Sequence, residues 1–206
     1  MWCAVIVAAA AAVALTGWFR RGRYRRGTDQ PRLNLRWWWA GPALTAIVAM
    51  LLTRTDAGTP FTDLSYLVGA VAMSLIDLDV HRIPDRFLAG WGGVVALLLV
   101  IEALTGPGPA ALLRAVLGGA ALGVLYLMFA VVASMGLGDV KLALLTGSVL
   151  GLHSWQAIYV GTLAAFAAAA AAAVLLMATG RSRRQDHLAF GPAIVAGALV
   201  ALALGG

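Results

Sequence analysis

Three of the chain's nine acids stand where an acid is expensive. Asp77 closes the mostly apolar run Tyr66 to Ile76, and Asp79 follows two residues later. Asp139 closes Met135-Gly136-Leu137-Gly138-Asp139, and an apolar stretch begins at Val140. Ionisable groups at the edge of such stretches are costly and mark functional sites by default. Two carboxyl groups brought together can hydrolyse a peptide bond. One takes a proton from water as the water attacks the carbonyl; the other, protonated, polarises that carbonyl and helps the amine leave. Two such acids share a proton and titrate as a pair. Gly136 and Gly138 add a second cue, because glycines permit unusual dihedrals and let another backbone come close. A protease needs that closeness to hold its substrate in extended form. The plainer alternative is an acid solvated at a helix end, or Asp139 capping a helix over 140–151.

The elements that must position these acids follow from composition. The chain has 206 residues, 62% hydrophobic and only 12% charged, with a mean hydropathy of +0.89. A soluble fold of this size cannot hide so much apolar surface. Disorder is excluded by the same numbers, and a disulfide scaffold by the single cysteine, Cys3, which reads as a small buried apolar residue. The expected fold is all-α: a polytopic transmembrane helical bundle of about eight segments in a single integral membrane domain, 1–206. The segments are 2–18, 37–53, 61–77, 87–105, 110–134, 140–151, 154–179 and 189–205, the sixth being short. The first reads as a retained helix rather than a signal peptide, since its charges follow the apolar run.

With the amino terminus outside, the internal loops are 19–36, 78–86, 135–139 and 180–188. Thirteen of the fifteen lysines and arginines then lie inside, seven of them in or beside the basic cytosolic loop 19–36, and only Arg54 and Arg114 lie outside. Both acidic sites fall at the inner membrane boundary. The net charge of +6 is thus a topology signal, and no nucleic acid is expected as a partner. Of the other acids, Asp29 and Asp186 read as members of basic loops, and Asp56 and Asp63 as external turn residues. Asp85 reads as a solvated loop acid, and Glu102 as snorkelling or lining a cavity near an outer helix end. His153 and His187 read as ordinary polar loop residues.

At the acidic sites the sequence resembles the bacterial type IV prepilin peptidases, GxGD-type intramembrane aspartic proteases. Three stretches carry the resemblance: Ile76-Asp77-Leu78-Asp79 through Ile83-Pro84-Asp85, Gly136-Leu137-Gly138-Asp139-Val140-Lys141-Leu142, and Ala189-Phe190-Gly191-Pro192. It covers a peptidase core of about 65–205. It implies Asp77 and Asp139 as the catalytic pair, with Gly136, Gly138, Asp79, Pro84 and Lys141 in supporting or substrate-binding roles; Lys141 reads equally well as a positive-inside anchor. It also implies a prepilin or pseudopilin substrate, whose short basic leader is cut from its hydrophobic helix at the cytosolic face of the bacterial inner membrane. Longer family members carry two CxxC pairs and also methylate the new amino terminus. This sequence has no such pairs, so the resemblance implies peptidase activity without methyl transfer, and no cofactor.

Rival readings differ in class. His81, four residues after Asp77, could join Asp77 and Asp79 on a metal, but the sequence has no His-x-x-x-His pair and no metal is expected. A small transporter or channel would use the acids in a cation path, but it predicts acids deep in the bilayer and an internal repeat. An inactive assembly factor of a pilus or secretion system has no need of intact aspartates at both positions.

Overall fold

The computed structural model describes residues 59–80, 84–133, 135–179 and 190–204. Six helices account for nearly all of them: α1 Pro60–Val80, α2 Asp85–Thr105, α3 Pro109–Ala133, α4 Leu137–His153, α5 Trp155–Ala178 and α6 Gly191–Ala203. The last six expected segments coincide with these helices. The first two, with loop 19–36, Cys3 and His81, lie outside the described residues. α1, α2, α3 and α5 are each long and apolar enough to cross a membrane.

Local chemistry sets the helix ends. Pro84, at φ −67° and ψ 121°, cannot continue a helix, and its carbonyl accepts from the N–H groups of Phe87 (3.1 Å) and Leu88 (3.0 Å) to start α2. Between α2 and α3, Gly108 turns the chain at φ +87°, a conformation only glycine adopts at no cost. α4 and α5 are separated by the single extended residue Ser154, whose hydroxyl accepts from the Ala157 N–H at 2.9 Å as an N-cap. Pro192 sits in the first turn of α6, where its missing N–H costs nothing.

α1 is the central helix, 78% buried across its apolar window, whereas α5 is 17% buried. The outward faces of α2, α3 and α5 carry Leu97, Leu117, Val131 and Leu163, as lipid contact requires. In lipid, apolar burial does not drive helices together; close packing of small residues does. The α3–α4 pair shows this most clearly. A Cβ at Gly147 would overlap the Gly118 carbonyl, and one at Gly151 would sit 2.7 Å from the Arg114 carbonyl oxygen. Gly123 lies against Leu144. These contacts fix an antiparallel register of Ala115 beside Gly151, Gly118 beside Gly147 and Gly123 beside Leu144. A second seam joins α5 to α6, where Gly197 backs onto the Gly161 carbonyl.

Candidate active site

Both acids of interest are carried inside helices. α1 continues to Val80, so Asp77 lies in its last turn, and Asp79 lies there too rather than in the expected loop 78–86. α4 begins at Leu137, so Asp139 lies in its first turn, with its N–H donated to the Gly136 carbonyl at 3.0 Å. This differs from a helix that starts at 140 with Asp139 as its cap; Gly136 occupies the N-cap position. Extended backbone at Gly136, φ −64°, is open to any residue, and among the described residues only Gly108 has a positive φ. Unusual dihedrals therefore do not explain the glycines of this turn. Nor does crowding explain Gly136, where a Cβ would sit 3.5 Å from the Asp139 Oδ2, an ordinary contact distance.

Asp77 and Asp139 are both buried, 5% and 7% exposed. The Asp77 carboxyl acts electrostatically on Asp139, so the two belong to one site although 62 residues separate them in sequence. Asp77 Oδ2 accepts the Gly191 N–H at 3.1 Å. A Cβ at Gly191 would stand 2.9 Å from that same oxygen, so only glycine lets the start of α6 approach it this closely. Gly191 is a site residue that sequence reasoning quoted without giving it a role. Among the described residues, no side chain or backbone group donates a hydrogen bond to the Asp139 carboxyl, and no group of three or more His, Cys, Asp or Glu could hold a metal ion.

The supporting residues divide. Asp79 is fully buried two residues from Asp77. Pro84 starts α2, and Gly138 lies half-buried in the first turn of α4. Lys141 points away from Asp139 on α4 and forms an ion pair with Asp85, both side chains being well exposed. Asp85 is thus the first residue of α2 and a partner of Lys141, not an isolated loop acid. Sequence reading missed Tyr126 altogether. It is 2% exposed on α3 and lies in the electrostatic reach of Asp139.

Three polar residues at the opposite end also turn out differently. Asp63 is buried and pairs with His153 Nε2 at 2.9 Å, and Thr59 lies 3.4 Å from each. Glu102 neither snorkels nor lines a cavity: its two oxygens accept the N–H groups of Phe61 and Thr62, both at 2.9 Å, and so cap α1.

Residues 64–177 match the Type IV leader peptidase family. The chain belongs to that family. Two curated relatives, each named "Prepilin leader peptidase/N-methyltransferase", come from Burkholderia pseudomallei strains 1026b and K96243. Each is 31% identical over 203 residues, which cover 94% of this chain and 60% of the relative. The chain thus spans three-fifths of the length of these leader peptidase relatives. No solved structure matches it. The matched region contains both aspartates, the Gly136–Lys141 stretch and Tyr126, and the family is consistent with the all-helical, membrane-spanning architecture.

Proposed function

We propose that this leader peptidase family member is an intramembrane aspartic endopeptidase that removes the basic leader of type IV prepilins or pseudopilins. The observation that supports the reading is the burial of Asp77 on α1 and Asp139 on α4 within electrostatic reach of each other. One carboxylate takes a proton from water while the water oxygen bonds to the scissile carbonyl carbon. The other carboxyl donates its proton to the carbonyl oxygen. The tetrahedral intermediate collapses as one of its hydroxyls returns a proton to the carboxylate that donated it, the C–N bond breaks, and the leaving nitrogen receives the proton taken from water. Gly191 steadies Asp77 through its N–H, and the turn at Gly136 and Gly138 gives the extended substrate room to approach.

The concentration of basic residues in loops 19–36 and 180–188 supports a cytosolic site at the inner membrane. The substrate's basic leader stays in the cytosol and its apolar helix enters the bilayer beside the site. The chain's own residues supply both acids, so the reaction is proposed to run on the peptidase step alone.

The test is cleavage of a prepilin with a basic leader ending in glycine, in proteoliposomes. The wild type is expected to cut, Asp77→Asn and Asp139→Asn to be inactive, and Asp79→Asn to retain partial activity. Full activity in either of the first two removes that residue from the mechanism. Wild-type protein that folds but cuts none of several prepilins would turn the reading toward a transporter or assembly factor.

A further inference from the structure

A tyrosine whose hydroxyl is not used by the fold stands on α3. Tyr126 is 2% exposed, and among the described residues its hydroxyl has no hydrogen bond, although the oxygen is not sealed off like that of Thr62. The other core tyrosine is tied into the fold: Tyr66 is 1% exposed and bonds the Thr146 hydroxyl at 2.8 Å. Phenylalanine at position 126 would pack as well, so packing alone does not account for the hydroxyl.

The fold says what the hydroxyl faces. The α3–α4 register set by Gly118, Gly123, Gly147 and Gly151, continued by three residues from Gly123 beside Leu144, brings position 126 to the level of 139–141. Asp139 is the polar, buried residue there. The ring is held independently. It stacks on Phe166 with centroids 5.8 Å apart, and Phe166 meets Phe190 edge-on at 6.5 Å. Phe190 directly precedes Gly191, the residue that binds Asp77. The row Tyr126, Phe166, Phe190 therefore runs from the neighbourhood of one aspartate to the backbone that holds the other.

We propose that Tyr126 is a positioning residue of the aspartate pair: its hydroxyl donates to the Asp139 carboxyl in the working site, while its ring, stacked on Phe166, holds Phe190 and Gly191 against Asp77. The role of this contact in cleavage rests on the aspartic peptidase reading above; the contact itself does not.

The experiment therefore has two arms. In proteoliposomes, Tyr126→Phe keeps the ring and removes the donor. It is expected to lower kcat about tenfold, the scale of one hydrogen bond to a charged group, with KM and the unfolding temperature unchanged. Tyr159→Phe, on the outer face of α5, is expected to change neither constant. A Tyr126→Phe enzyme with wild-type kcat overturns the catalytic role. The second arm needs no activity. The infrared carboxyl band that disappears in Asp139→Asn is followed in Tyr126→Phe and in protein carrying 3-fluorotyrosine at 126, which preserves the fold if Tyr126→Phe does not. A shifted band is the expected result; an unmoved band in the folded protein overturns the contact, whether or not the protein cuts prepilin.

Discussion

The two ends of this helical bundle use the same residue types in opposite ways. At the end far from Asp77 and Asp139, Asp63, Glu102, His153 and Arg114 are spent on structure. Asp63 binds His153, Glu102 closes the start of α1, and Arg114 donates to the carbonyls of Gly151, Leu152 and His153 at 2.6 to 2.9 Å, closing the end of α4. Among the described residues, the Thr62 hydroxyl is the one buried side-chain group there left without a partner. At the aspartate end, among the described residues, the Asp77 carboxyl accepts one backbone N–H and the Asp139 carboxyl accepts no hydrogen bond. A saturated cluster has no capacity to bind anything else. An unsaturated one keeps lone pairs for water and substrate. Near a bilayer, where an unpaired polar group costs several kcal/mol, unused capacity is the better sign of chemistry.

Exchanging the roles of the two ends gives the largest effect. Asp139→Asn is expected to reduce prepilin cleavage by more than about a thousandfold, since the pair acts as a unit, while leaving the unfolding temperature unchanged or raised. Asp63→Asn is expected to do the reverse, lowering the unfolding temperature and preserving cleavage per folded molecule. Calorimetry and the cleavage assay on the same two preparations decide it, and matching behaviour of the two variants would dissolve the contrast.

Next in size is Glu102→Ala, which leaves two buried N–H groups at the start of α1 unanswered. It should cost about 3 kcal/mol of unfolding free energy, read from denaturant titration in micelles, with kcat retained.

The Asp63–His153 end should also respond to pH in a defined direction. Burial disfavours charge on His153, but the Asp63 carboxylate beside it, with Glu102 further off, outweighs that and raises its pKa above the usual histidine value. A group whose folded pKa is raised stabilises the fold fully below its unfolded pKa and loses that contribution as pH rises through the folded one. The unfolding temperature should therefore fall as pH climbs past neutrality. Asp63→Asn should flatten this step; a step that survives it belongs to another group.

The smallest effect is expected at the exposed pair of Lys141 and Asp85. Lys141→Met or Asp85→Asn should change stability by about 0 to 1 kcal/mol. A large loss of cleavage in Lys141→Met without a change in folding would instead give that lysine a role toward substrate.

Much of this was legible in the sequence, for identifiable reasons. Hydropathy and charge bias gave the helical membrane fold and the placement of α1 to α6, because lipid imposes both directly. Asp77 and Asp139 were legible because each stands at the end of an apolar run. Helix boundaries were off by up to three residues at the site, since nothing in Leu78 to Val80 or Leu137 to Gly138 opposes helix. The Asp63 and Glu102 contacts were misread because Asp63 reaches His153, and Glu102 reaches the start of α1, only through tertiary packing. Tyr126 was invisible for the same reason. A tyrosine in an apolar run looks like core, and only the glycine register with α4 shows what lies opposite it.

That glycine seam also constrains motion. With Gly147 against the Gly118 carbonyl and Gly151 against that of Arg114, α3 and α4 have no clearance to slide or roll past each other. They form one rigid piece, and Asp139 rides on it. Asp77 rides on a different piece, α1, linked to α6 at this level by the Gly191 N–H. In the proposed reaction, any closing of the two carboxyls on each other is therefore a displacement of one body against another, not a rearrangement within a helix pair. That makes the α1–α4 boundary, rather than either aspartate's own turn, the place where the speed of such a reaction could be tuned.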